Sequence, residues 1–161
     1  MFVSTGAAVL VVALAVACAF GTWRAARDGR FRGTHQVRAG KAPGSAPSAD
    51  PPPTVSVLAG SDLDVELGER ATLLQFSSAF CAPCRATRRV LGDVAAIVPG
   101  VRHVEVDAEH HLDLVRRLGV LRTPTTLVLD SAGREVSRAG GAPTKQAVIA
   151  SLGAAVDRPA P

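Results

Sequence analysis

The sequence predicts an α/β domain with a central mixed sheet flanked by helices, preceded by one N-terminal transmembrane helix. Three observations carry this. Residues 54–157 alternate strand-like and helix-like apolar patterns, then end in a hairpin and a helix. Residues 2–23 contain no charged side chain. The whole chain has 161 residues, room for one ordinary domain and its attachments. With 47% of residues hydrophobic and 20% charged, it is not a wholly disordered protein.

The first element is the apolar run. As a helix at ~1.5 Å per residue, residues 2–23 reach roughly 33 Å, enough to cross a bilayer core. A retained anchor is the expected reading. A signal peptide carries Lys or Arg before its apolar stretch, whereas here Arg24, Arg27, Arg30 and Arg32 follow it. The most apolar part, Ala7 to Phe20, has signal-peptide length, and Ala15-Val16-Ala17 precedes Cys18. A cleaved or lipoprotein signal is therefore the alternative. Cys18 itself reads as a small apolar helix residue. The positive-inside rule puts the Arg-rich flank, and all that follows, in the cytoplasm.

Residues 24–53 are expected to be a linker, basic at first and then rich in Pro, Gly, Ala and Ser. Such a stretch has too few large apolar groups to offset its chain entropy. The net charge of +4 belongs to this end: residues 1–50 hold six basic and two acidic residues, and residues 51–161 hold twelve of each. A nucleic-acid-binding domain carries its positive charge on the folded part. No nucleic-acid partner is expected.

Within 54–157, Val55–Leu58 reads as a short strand, and Ser61 as the cap of a helix running to Leu67 and stopped by Gly68. Ala71–Ser77 is an apolar run of strand length. Val90, Leu91, Val94, Ile97 and Val98 recur at helical spacing until Pro99-Gly100 ends the pattern. Val101–Val106 reads as a strand. Leu112, Val115 and Leu118 mark a helix closed by Gly119. Thr125–Asp130 and Glu135–Arg138 flank Ser131-Ala132-Gly133-Arg134, a hairpin signal. Thr144 caps a last helix with Val148, Ile149, Leu152, Ala155 and Val156 on its apolar face, and residues 158–161 are a tail.

The chemistry lies in Cys81-Ala82-Pro83-Cys84, where a strand gives way to a helix. Two cysteines are too few for a disulfide scaffold. A structural zinc site needs a second ligand pair; the candidates are His103, His110 and His111, and the last two are adjacent, so on a helix they point about 100° apart. No metal is expected. A thiolate at a helix N-terminus meets unpaired N–H groups and the positive end of the helix dipole, which lowers its pKa. That makes Cys81 the nucleophile. Cys84, one turn deeper, can close a bond with it and resolve a mixed disulfide. Pro83 costs the first turn nothing, because its N–H would be unpaired there.

With those residues in view, the chain resembles the thioredoxin family over residues 54–157. Beside the cysteine pair, the resemblance rests on Thr123-Pro124-Thr125, about 40 residues downstream and just before a strand. It implies the thioredoxin fold, a cis Pro124 against the disulfide, and a backbone at Thr123 that meets substrate. Phe80, Ala82, Pro83, Thr123 and Pro124 become the expected substrate-binding residues. Gly140 matches a family glycine after the last strand.

Three departures stand out. Phe80 replaces the family's usual Trp, and Ala82 its usual Gly. Gln75, six positions before Cys81, replaces a buried acid thought to exchange a proton with the second cysteine. Gln cannot titrate, so Gln75 is given a supporting, hydrogen-bonding role. His103 falls near a Lys of many relatives but reads as a satisfied strand residue. Arg85, Arg88 and Arg89 read as a solvated helix face, with Arg85 close enough to favour a thiolate.

The expected protein is a membrane-tethered thiol–disulfide oxidoreductase acting on protein disulfides. No metal or organic cofactor is implied. Its electrons would come from a thioredoxin reductase or a membrane thiol carrier. The alternatives are an exported relative serving extracytoplasmic disulfide handling or cytochrome maturation, and a non-enzymatic redox-sensing docking module.

Overall fold

Every residue of Ala71–Ser77 is buried, which marks it as a strand covered on both faces. In the computed structural model, which describes residues 2–33, 56–63 and 65–156, this strand is the inner member of a five-stranded sheet. The elements are α1 (Phe2–Arg27), β1 (Arg32–Gly33), β2 (Ala71–Ser77), α2 (Ala82–Ile97), β3 (Val101–Asp107), α3 (Leu112–Arg117), β4 (Thr125–Asp130), β5 (Glu135–Gly140) and α4 (Lys145–Val156). The strand order is β1-β5-β4-β2-β3. β2 and β3 run parallel, joined by α2, and the other pairs are antiparallel.

The period-2 alternation of β2 splits the core in two. Ala71 and Leu73 pack with Leu91 and Val94 of α2, Val128, and Val148, Leu152 and Ala155 of α4. Leu74 and Phe76 pack on the other face with Val106, Leu114, Leu118, Leu127 and Leu129. Gln75 and Ser77 continue the first stripe upward, so polar side chains on that face end up beneath the start of α2. The caps agree with the sequence: Thr144 Oγ1 accepts from Ala147 N at 3.2 Å, and Gly100 and Gly119 take positive φ after α2 and α3.

Two expected elements are absent from the described residues. Ser56–Gly60 form a turn rather than a strand, held by Val57 N donating to Gly133 O at 2.9 Å. Residues 61–63 and 65–70 contain no helix. Ser61 Oγ turns back to donate to Leu58 O at 2.6 Å instead of capping forward. Val57, Leu58, Leu63 and Leu67 each rest on the second core cluster, a spread that the irregular path serves.

The N-terminal helix also runs four residues beyond the expected end. Ala and Arg are good helix formers, and the helix stops only at Gly29, whose φ is 73°. Residues 28–33, expected as linker, join the domain instead. Arg32 and Gly33 pair antiparallel with Arg138 and Ser137, and Phe31 packs on the first core cluster. The rest of the expected linker, residue Val55 and the tail lie outside the described residues. Within α1, Gly6–Arg24 has a mean hydropathy of 2.1 and none of it is buried, so it is no core helix. Its length and composition suit a membrane span or a signal sequence.

Candidate active site

β2 delivers the chain to Ser77. Ser78, Ala79 and Phe80 turn it, and Cys81 caps α2 from an extended conformation (φ −95°, ψ 95°). Cys84 N donates to Cys81 O and Cys81 Sγ, both at 3.1 Å, so the sulfur takes one of the helix's unpaired donors. Cys81 and Cys84 form a disulfide with Cα atoms 5.2 Å apart. The two differ in access: Cys81 is half-buried, while Cys84 is 3% exposed. Ala82 and Pro83 are exposed beside them, and Phe80 is 100% exposed.

A second loop faces the first. The Thr123–Pro124 peptide bond is cis. Ser78 Oγ and Thr123 Oγ1 share a hydrogen bond of 2.9 Å, which ties the two loops together. Pro124 is buried, and its carbonyl accepts from Gly141 N at 2.7 Å, bringing in the loop after β5. Leu121, at the lip of this loop, is 95% exposed.

Below the disulfide lies a polar network. Gln75 is fully buried, and its Nε2 donates to Cys84 O (3.0 Å) and Ser77 Oγ (2.7 Å). Ser77 Oγ in turn donates to Glu105 Oε1 at 2.6 Å. Glu105 Oε2 is paired with Arg88 Nε of α2. Because Gln75 Oε1 can only accept, His103 must donate to it from Nε2, 3.1 Å away. Burial, reinforced by the charge of Arg88, holds His103 below the usual histidine range against the pull of Glu105. Burial pushes Glu105 upward, but hydrogen bonds from Arg88 and Ser77 overcome it and leave the carboxyl below its ordinary range.

Gln75 is therefore the hub of the site's floor, tied to Cys84 through its backbone. Its partners Ser77 and Glu105 were missed, as was Arg88, which pairs with Glu105. The parallel register that sets Gln75 opposite Glu105 was the signal, and no local pattern reveals it. Arg85 and Arg89 sit exposed on α2. His110 pairs with Asp107 at 2.9 Å, and His111 lies 3.6 Å from Asp62. Among the described residues no three His, Cys, Asp or Glu side chains gather as a metal site.

A disulfide at the head of a helix on a mixed sheet, in a loop tied to a cis-proline loop, defines a thioredoxin-type redox protein. The thioredoxin family model matches residues 54–154, and the chain belongs to that family. A curated Arabidopsis thaliana protein carrying the name thioredoxin H10 is 31% identical over 74 residues. That match covers 46% of this chain and 47% of the relative, so the chain spans about half the length of the relative it matches. Two solved structures share the fold. A point-mutant thioredoxin from Halobacterium salinarum NRC-1 superposes with a TM-score of 0.51 at 19% identity, over 56% of this chain and 79% of that one. Thioredoxin-2 of a malaria parasite, described as a component of its protein secretion machinery, gives 0.50 at 18% identity, over 55% and 86%.

Proposed function

We propose that this chain is a membrane-tethered enzyme that reduces protein disulfides through the Cys81–Cys84 dithiol. The unequal access of the two cysteines at the start of α2 carries the reading. In the reduced protein, Cys81 loses its proton and attacks one sulfur of a substrate disulfide. That bond breaks, a Cys81–substrate disulfide forms, and the other substrate sulfur leaves as a thiolate and takes up a proton. Cys84 then loses its proton and attacks Cys81 Sγ. The second substrate sulfur leaves and is protonated, and the Cys81–Cys84 disulfide closes. Two electrons pass to the substrate, and a dithiol donor such as a thioredoxin reductase or a membrane thiol carrier restores the site.

Phe80, Ala82, Pro83 and Thr123 form the rim on which a substrate chain would lie, and the buried Pro124 shapes it. Gln75 supports the second cysteine by fixing its carbonyl. In this reading residues 2–23 anchor the chain, residues 54–157 are the redox domain, and Arg24 to Arg32 keep that domain cytoplasmic. Multiple-turnover insulin reduction driven by a small dithiol tests the enzyme reading. Catalysis abolished in Cys81→Ser is the expected result. A wild-type protein that gives no turnover would instead be a redox-sensing docking module.

A further inference from the structure

The exit of α1 is fastened to the loop that carries Pro124. Arg122 Nη1 donates to Asp28 Oδ1 at 3.0 Å, and Arg122 Nη2 donates to Gly140 O at 2.7 Å. Gly29 N donates to the same Gly140 carbonyl at 2.9 Å. Gly29 is seated so closely that a Cβ there would collide with the carbonyl oxygen of Ala142. Arg32 and Gly33 then extend the sheet along β5. These contacts hold the loop that carries Pro124, and the turn after β5, to residues just outside the apolar helix.

The distances along the chain are short. Asp28 lies four residues past Arg24, the end of the apolar stretch, about 6 Å of helical rise. Arg122 adjoins Thr123, which touches Ser78, three residues before Cys81. Of the large apolar side chains described outside α1, Phe80 and Leu121 are the most exposed, at 100% and 95%; Leu121 is on the loop held by Asp28, and Phe80 is on the turn that Ser78 ties to it. A free tether would let the domain roam. Here the domain folds back onto the chain nearest the apolar helix, and covalent linkage keeps the two at high effective concentration.

We propose that residues 28–33 are a strut holding the redox site at the membrane surface, and that its substrates are disulfides of membrane proteins lying at the bilayer–water interface. The proposal rests on α1 being a retained anchor. A protein rather than the lipid itself is the partner, because the site's chemistry needs a disulfide. Phe80 and Leu121 suit the apolar surface beside a membrane-embedded segment.

The test uses the full chain in phospholipid vesicles containing a dansyl-headgroup lipid. Trp23 is the sole tryptophan, so Trp23→Phe/Phe80→Trp moves the fluorophore to the site. Energy transfer should cut emission from position 80 at least about twofold. Adding Asp28→Arg should restore that emission, and combining it with Arg122→Asp should quench it again. Asp28→Arg in the native background should slow reduction of a vesicle-embedded helix bearing a disulfide loop at its end, at least about fivefold. Insulin reduction should be unchanged, which also reports that the variant is folded. If position 80 is not quenched while native Trp23 is, the strut is overturned and the anchor stands. If Trp23 is not quenched either, the anchor reading falls and takes the strut with it. If position 80 is quenched but the embedded disulfide loses no more rate than insulin, the site rests on lipid and the substrate assignment is wrong.

Discussion

Gln75 and Glu105 stand opposite each other across the parallel β2–β3 pair, joined through the hydroxyl of Ser77. A neutral amide thus occupies the strand position beneath Cys84, and the nearest carboxylate lies one strand away, paired to Arg88.

This arrangement makes Gln75 a structural hub with no charge of its own. Gln75→Leu fits the volume but leaves His103 Nε2 without its acceptor and takes a donor from the Cys84 carbonyl and Ser77 Oγ. Leaving buried polar groups unpaired costs about 1–3 kcal/mol. Chemical denaturation should give a lower midpoint with an unchanged slope. An unchanged midpoint would mean that water replaces the amide.

His103 should make the fold acid-sensitive. Its folded pKa is depressed, chiefly by burial. Both folded and unfolded chains keep it neutral at pH 7.5. Below the unfolded value of about 6.5 the unfolded chain gains a proton that the folded one resists, so stability falls with pH. His103→Gln removes the titration and can keep a donor toward Gln75. Its melting temperature should drop less between pH 7.5 and pH 5.5 than that of the parent protein. Equal drops would show that the imidazole titrates alike in both states.

Exposure and helix position together predict that Cys81 is the reactive thiol. Iodoacetamide added to the reduced protein near neutral pH should label Cys81 roughly tenfold faster than Cys84. Peptide mass spectrometry reads the two sites separately. Faster labelling of Cys84 would reverse the assigned roles.

Cys84→Ser should leave attack intact and block resolution. Mixed disulfides through Cys81 should accumulate on non-reducing gels and vanish in the Cys81→Ser/Cys84→Ser protein. A single variant that traps nothing, beside a parent that turns over, would mean that a different thiol resolves the intermediate.

Charge on either side of α1 predicts topology. Four Arg follow the apolar run within nine residues. An alkaline phosphatase fused to Pro161 should be inactive and a fluorescent protein there should glow, because positive flanks stay cytoplasmic. Strong phosphatase activity would move the redox domain outside, where oxidising conditions favour disulfide handling over reduction.

The parts of the molecule that its sequence alone determined are those governed by near neighbours along the chain. The apolar runs at Ala71–Ser77 and Thr125–Asp130 are strands with the boundaries read from pattern. The stops at Gly100 and Gly119, the cap at Thr144 and the cysteine pair at the start of α2 follow from local backbone and side-chain chemistry. Residues 56–70 resisted the same reading, because scattered apolar contacts with the core outweighed a short helical pattern. Only the tertiary structure decided that Gln75 meets Glu105 and that residues 28–33 return to β5 and Arg122. Both depend on strand register and on contacts between residues far apart in the chain. Those are set by the packing of whole faces, which local periodicity does not encode.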